Sequence, residues 1–348
     1  MSSDLARYGL SAPVNVTWEI TLKCNLKCLH CLSDAGKAMP EELDFGQCRL
    51  LIEQLAAIKV FQVNIGGGEP FMREDFVDLL DLAHRNQLVT CVSTNGLLVD
   101  DSLAKHLARL EMLYLQVSLD GATAEVNDAI RGEGTYHKIL RAADALARHG
   151  VRFSLNTVLT RINYPQLEEL RKLAAGYGAD LRVSRFRPSG RGKSSKVELG
   201  PDKEQLESFA VWLEENQFVR TGDSFFCLTS ENRRRKGLDM CGAAKMTCCV
   251  SPSGDVYPCA FLQEPAFLAG NIRRRHIKDI WDHAPVLDLL RRLDVKACET
   301  CSRFEHCRGG CPAMAFHTYN DISMPDPECL MNLRALSSGD SPKGFPLS

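Results

Sequence analysis

Between Val14 and about Phe186, short runs of apolar residues alternate with longer stretches in which apolar positions recur every three or four residues. The short runs are VNVTWEI (14–20), VFQVNI (60–65), VTCVS (89–93), LYLQVSL (113–119), VRFSLNTVL (151–159) and LRVSRF (181–186). Their wealth of Val, Ile, Leu and Phe suits strands of a parallel sheet, which are buried on both faces. The longer stretches fit amphipathic helices at 45–58, 75–85, 102–110, 137–150 and 166–176. Asp44 is placed to cap the first of these, and Gly150 to end the fourth. Six β–α repeats predict an α/β fold: a partial (β/α)6, TIM-like barrel, with right-handed crossovers setting the helices outside.

The pattern changes after the sixth repeat. Residues 193–235 read as a connector with one helix, EQLESFAVWLEEN (204–216), and a basic segment, ENRRRKG (231–237). SPSG (251–254) is a turn signal between two β-like runs and predicts a hairpin. The expected division is therefore an N-terminal extension (1–13), a barrel (14–192), the connector (193–235), a small domain with a β-hairpin and helices (236–335), and a flexible tail (336–348).

In barrels of this kind the chemistry lies where the strands end. Immediately after the first strand comes CNLKCLHC (24–31), and after the second GGGEP (66–70). STNG (93–96) closes the third strand and SLDG (118–121) the fourth. Asn156 lies in the fifth, and RPSGRG (187–192) follows the sixth. The unusual residues thus converge on one rim.

Composition narrows the possibilities. The 348 residues are 45% hydrophobic and 25% charged with a formal charge of −2, ordinary for a globular protein and without the basic excess of a nucleic-acid binder. Neither a transmembrane run nor a signal-peptide core is evident, so a cytoplasmic protein is expected. Fifteen cysteines are many for a reducing compartment, where metal binding or catalysis is the better explanation than disulfides. Five precede residue 92 and ten fall between Cys227 and Cys329, which separates two metal-bearing regions by a plain scaffold.

Cys24, Cys28 and Cys31 have C-x3-C-x2-C spacing and can hold three corners of a four-iron cluster, leaving one iron open for chemistry. The glycines of GGGEP let backbone approach a ligand closely, and with Glu69 they could bind an ammonium group. The distal cysteines are Cys241, Cys248, Cys249 and Cys259, then Cys298, Cys301, Cys307, Cys311 and Cys329. The last five are spaced C-x2-C-x5-C-x3-C-x17-C, and C-x2-C is also a zinc signature. Adjacent Cys248 and Cys249 point to opposite faces of a strand, so only one can serve a given site; Cys248 is the expected one. Cys48 and Cys91 read as core cysteines, and Cys227 as structural or close to the substrate.

The three-cysteine loop followed one repeat later by GGGEP resembles the radical S-adenosylmethionine superfamily. That resemblance implies a [4Fe–4S] cluster on Cys24, Cys28 and Cys31, and methionine binding by Gly66, Gly67, Gly68 and Glu69. It places His30 near the adenine, and Ser93, Ser118 and Asn156 near ribose and carboxylate. Arg131 and Arg187 are candidates for holding carboxylates. The distal cysteines resemble the SPASM extension of the same superfamily. This implies one auxiliary [4Fe–4S] cluster on Cys241, Cys248, Cys259 and Cys311, and another on Cys298, Cys301, Cys307 and Cys329. Three clusters and S-adenosylmethionine are thus the implied cofactors, with the fully ligated pair carrying electrons.

VTWEITLKCNLKCLHCLSDAG (16–36), VFQVNIGGGEP (60–70) and CRGGCPA…PDPEC (307–329) further resemble the mycofactocin maturases. That family implies reductive cleavage of S-adenosylmethionine, oxidative decarboxylation of the C-terminal tyrosine of a ribosomal precursor peptide, and a Val–Tyr carbon–carbon cross-link. It also implies a separate small peptide-recognition protein and an external electron donor such as flavodoxin or ferredoxin. A haem-precursor decarboxylase, a quinone-cofactor maturase and a sulfatase-activating enzyme share the cysteine plan. An iron–sulfur or zinc scaffold without activity would release no 5′-deoxyadenosine.

Overall fold

A computed structural model describes residues 10–221, 225 and 240–331. Cys227, the ENRRRKG segment and the tail lie outside the described residues. Six strands carry the first half: β1 (Asn15–Thr21), β2 (Gln62–Gly67), β3 (Val89–Thr94), β4 (Leu113–Ser118), β5 (Phe153–Leu159) and β6 (Asp180–Arg185). All adjacent pairs are parallel, in the order β6-β5-β4-β3-β2-β1. The predicted α/β architecture is therefore the observed one.

Alternation within each strand divides the sheet into two faces. In β1, Val16, Trp18 and Ile20 are buried in the core with Leu51, Ile52 and Leu55 of the helix Phe45–Ala57. Thr17 and Glu19, between them, line the opposite, concave face. Asp44 caps that helix, accepting from Gln47 N–H at 2.8 Å while Gln47 Oε1 accepts from Asp44 N–H, a reciprocal capping box. Gly150, after the helix Thr135–Arg148, is left-handed (φ +70°), the conformation that favours glycine at a helix end.

The hydrophobic pattern alone did not locate several helices. Ala124–Arg131 interrupts the fourth β–α crossover and delivers Arg131 to the concave face. Ile277–His283, Pro285–Arg291 and Pro312–Tyr319 build the distal region. SPSG does turn a hairpin, between β7 (Thr247–Val250) and β8 (Asp255–Tyr257), with the two-residue β9 (Gly270–Asn271) beside β8. Unexpected from sequence is where the hairpin docks. β7 runs parallel to β1, with Val16 opposite Cys248 and Thr17 opposite Cys249, so one nine-stranded sheet continues from the barrel into the cysteine-rich region.

A buried ion cluster ties the last strand of the barrel to the distal region. Arg185, the last residue of β6, forks onto both carboxylate oxygens of Asp326 (2.8 and 2.6 Å) and reaches Glu328 Oε2 at 2.6 Å. Asp326 also accepts from the Cys311 and Glu328 amides at 2.9 and 3.0 Å. Arg185 and Asp326 side chains are 2% and 1% exposed, so neither charge is satisfied by water. Removing one partner of such a cluster strands the others in a low dielectric. Arg185→Met should accordingly cost about 3–5 kcal/mol in denaturant unfolding; a loss below about 1 kcal/mol would show that the cluster does not hold the distal region in place.

Candidate functional site

A cavity of about 310 Å³ occupies the concave face. Cys24, Cys28 and Cys31 form one part of its wall, Gly66, Gly67 and Gly68 another, and Ser93, Ser118 and Asn156 line it from β3, β4 and β5. Strand register brings the last two together, because Ser118 lies opposite Asn156 in the β4–β5 pair. Every proposed cofactor residue of the barrel except Glu69 thus borders one space.

The glycine loop packs directly on the cysteine loop. Gly68 N–H donates to Thr21 O at 2.7 Å, and Glu69 N–H to Lys23 O at 2.8 Å, one residue before Cys24. Gly67 has φ +107°, and a Cβ on it would lie 2.5 Å from Thr21 O; a Cβ on Gly68 would collide with Lys23 O. Gly66 has room, its nearest neighbour being Ser93 Cβ at 3.6 Å. Glycine at the second and third positions is thus demanded by backbone approach, not only by ligand access.

Glu69 has a different place from the one expected. Its carboxylate is fully buried and does not line the cavity. It accepts from Asn95 N–H (2.7 Å), Thr94 Oγ1 (2.9 Å) and Phe71 N–H (3.2 Å), which latches the loop to the end of β3. Burial raises its pKa to about 7 despite these donors.

Each thiol of the cysteine loop is met by a donor. Leu26 N–H points at Cys24 Sγ (3.5 Å), Ala35 N–H at Cys31 Sγ (3.4 Å), and Arg131 Nη1 at Cys28 Sγ (3.8 Å). Three sulfurs with inward donors around open space suit thiolate ligands of an iron–sulfur cluster, whose potential responds to such contacts. His30 is held by Asp120, Nε2 to Oδ2 at 2.6 Å, and its Nδ1 is buried without a partner. Arg131 Nε lies 2.7 Å from the same Asp120 oxygen. Burial would raise the Asp120 pKa, but the charges of Arg131 and His30 and the Val158 amide outweigh it and lower it from the ordinary 3.8 to about 2.

The distal thiols form two groups. Cys298, Cys301, Cys307 and Cys329 line a small pocket of about 40 Å³. Burial is the main cause of the raised Cys298 pKa, about 12, and the other three thiols of the pocket add to it. In the second group, Cys259 feels Cys241 and Cys311, and burial with neighbouring Cys311 lifts Cys241 to about 11. Cys249, not Cys248, adjoins this group. Cys249 lies opposite Thr17, which faces the concave side, and its pKa is raised by burial, then by Glu19 and Cys259. Cys248 lies opposite Val16, belongs to the hydrophobic core and has Arg291 as its charged neighbour. The expectation for Cys248 is corrected by the register with β1, which could not be read from the distal segment alone. Among the described residues no three His, Cys, Asp or Glu converge as a single-ion site.

Residues 18–174 match the Radical SAM superfamily, and residues 241–308 match the iron-sulfur cluster-binding domain called SPASM. Mycofactocin maturase MftC of Mycolicibacterium smegmatis is 44% identical over 92% of this chain and 84% of its own length. The chain belongs to the mycofactocin maturase family. MftC of Mycobacterium tuberculosis is 43% identical with the same coverage, whereas an AdoMet-dependent heme synthase of Methanosarcina barkeri is 28% identical over 92% of this chain and 97% of its own. The fold is shared with Streptococcus suis SuiB bound to S-adenosylmethionine (TM-score 0.75, 20% identity, 93% of this chain and 78% of that one). It is shared also with native anSMEcpe with bound AdoMet (TM-score 0.70, 19% identity, 93% and 97%).

For a mycofactocin maturase family member, several functional-looking residues escaped the sequence reading. Asp120 stands in SLDG, but only the tertiary structure shows it joining His30 to Arg131. Thr94 and Asn95, within STNG, hold Glu69 and also border the cavity. Arg187, a suspected carboxylate partner, lies flat on the Phe261 ring with its guanidinium carbon 3.4 Å from the centroid. A second cavity, about 290 Å³, shares Glu19, Leu32, Ser33, Ala260 and Phe261 with the first.

The backbone contacts and the buried ion pair are open to measurement. Gly68→Ala should destabilise by about 1–3 kcal/mol in chemical denaturation, whereas Gly66→Ala should cost less than about 1 kcal/mol; equal losses would refute the backbone-approach explanation. Because its folded pKa is depressed, Asp120 contributes stability above pH about 4 that is lost as pH falls toward 2. The contribution is about 2 kcal/mol by proton linkage. Asp120→Asn should remove that acid dependence and lower stability at neutral pH, as read from denaturation midpoints across pH.

Proposed function

We propose that the chain is a radical S-adenosylmethionine peptide maturase with three [4Fe–4S] clusters, which oxidatively decarboxylates a C-terminal tyrosine of a ribosomal precursor peptide and cross-links it to the preceding valine. The observation that carries this reading is the single cavity bordered by the three-cysteine loop, the glycine loop and the polar strand ends. When bound, the cofactors supply hydrogen-abstracting radical chemistry at the first cluster and an outlet for electrons at the other two.

The chain's own residues hold and exclude. Cys24, Cys28 and Cys31 ligate the first cluster, with Arg131 placing positive charge beside Cys28. The backbone of Gly66 to Gly68 receives the methionine ammonium, and Glu69 keeps that backbone in place through β3. Ser93, Ser118 and Asn156 meet ribose and carboxylate, and the orphaned Nδ1 of His30 supplies a polar contact for the adenine. Cys241, Cys249, Cys259 and Cys311 hold one auxiliary cluster; Cys298, Cys301, Cys307 and Cys329 hold the other. Burial makes the Cys241 and Cys298 thiols resist ionisation by themselves, so capture of metal, which deprotonates them, is coupled to folding. The Phe261–Arg187 stack closes the cavity beside the second one, a route for peptide and a barrier to bulk water.

A peptide substrate is supported by family membership and by the shared fold with Streptococcus suis SuiB, solved with its precursor peptide SuiA. A separate small recognition protein and a flavodoxin or ferredoxin-like donor complete the proposed system.

Anaerobic reconstitution tests the assignments. About twelve irons per chain are expected. Cys24→Ala should retain about eight and abolish 5′-deoxyadenosine formation. Cys249→Ala should lose about four while Cys248→Ala keeps all twelve, an order that would be reversed if Cys248 were the ligand. Mass analysis of a peptide ending in Val-Tyr should show loss of carbon dioxide and two hydrogens; a peptide recovered unchanged despite S-adenosylmethionine cleavage would reject the proposed reaction.

A further inference from the structure

Four arginines border the main cavity: Arg131, Arg182, Arg185 and Arg187. Arg131 is matched by Asp120 and Arg185 by Asp326 and Glu328, while Arg187 stacks on Phe261. Arg182 differs. Its Nη1 donates to Asn156 Oδ1 (3.0 Å) and Ser184 Oγ (2.6 Å), both neutral, and among the described residues no carboxylate pairs with it. Ser184 Oγ also donates to Asn156 Oδ1 at 2.9 Å, so the guanidinium is held in a fixed frame on β5 and β6. A half-buried guanidinium, preorganised by neutral partners and facing a cavity, is a receptor for a carboxylate, which it can bind with two parallel hydrogen bonds.

We propose that Arg182 recognises the free α-carboxylate of the substrate's C-terminal residue. The inference rests on the reading of the substrate as a peptide whose last residue is modified. The carboxylate of S-adenosylmethionine is the other anion available to the cavity. It is assigned to the strand ends with Asn156, so the two anions would adjoin at Arg182. Only Nη1 of Arg182 is engaged by Asn156 and Ser184 among the described residues, which leaves the rest of the guanidinium fork for the second molecule in the cavity. Holding the carboxylate at β6 fixes the orientation of the bond to the carbon that carries it. It also makes a free peptide end, rather than the tyrosine side chain alone, the mark of a correct substrate.

The test uses the reconstituted full chain with S-adenosylmethionine and no reductant, so that binding is read before any chemistry. Two synthetic peptides ending in Val-Tyr, one a free acid and one a C-terminal amide, are titrated by fluorescence anisotropy. The wild type should bind the acid about 10- to 100-fold more tightly than the amide. Arg182→Met should bring the two affinities together by weakening the acid alone, and Arg182→Lys should keep part of the preference. Affinity for S-adenosylmethionine, measured separately by calorimetry, should stay within about twofold of wild type, because Ser184 still holds Asn156 when Arg182 is replaced. Equal binding of acid and amide by the wild type overturns the proposal without any variant. Preference for the acid that survives in Arg182→Met overturns it as well, and a parallel loss of S-adenosylmethionine affinity assigns Arg182 to the cofactor instead. Failure of the decarboxylation reading would appear separately, as a product lacking carbon dioxide loss from a peptide that still binds through its free end.

Discussion

The site depends on a backbone contact. Gly67 and Gly68 press against Thr21 and Lys23 so closely that no side chain fits between them, and hydrogen bonds from Gly68 and Glu69 lock the two loops together. The three-cysteine loop leaves the end of β1 irregularly and is held further by the Lys23–Gly36 bridge, by Leu29 N–H on Ile130 O and by Arg191 Nε on Cys28 O. The contact with β2 fixes its start, and β2 is in turn pinned to β3 by Glu69, Thr94 and Asn95. A buried carboxylate is a costly pin, as its raised pKa shows. What it provides is three oriented acceptor contacts at one point, which fix a loop that glycine would otherwise leave free.

A second chain of constraints joins the barrel to the distal cysteines. β7 extends the sheet beyond β1, and Arg185 at the end of β6 grips Asp326 and Glu328 near Cys329. The distal region is thus held at both margins of the six-stranded unit. The Asp326 carboxylate accepts from the Cys311 amide and its backbone carbonyl accepts from the Cys329 amide at 3.1 Å, so one residue positions members of both distal thiol groups.

Much of this was legible in the chain. The six strands and their order of chemistry along one rim followed from apolar runs, turn signals and the position of special residues after each strand. Boundaries moved by up to three residues, as helix and strand ends do. The helix Ala124–Arg131 was hidden because its apolar positions are few and its stabilisation comes from the Thr123 cap and from burial of Ile130 and Arg131. Asp120 and Arg182 were passed over for a related reason. A carboxylate in SLDG or an arginine in a strand has no local signature; its meaning comes from what faces it.

The sequence by itself determined the α/β plan, the two cysteine-bearing regions and the glycines of the second loop, because periodicity and residue chemistry are local properties. Membership of the family followed from the same local motifs. Only the tertiary structure shows which of Cys248 and Cys249 faces the core and which the cavity side. Strand alternation says that two neighbours diverge, but the direction of each is set by the partner strand: β1 presents Val16 to the core and Thr17 to the cavity, and β7 must follow it. The same holds for charge. Arg185 is neutralised by carboxylates more than a hundred residues away, brought within hydrogen-bond distance by packing alone.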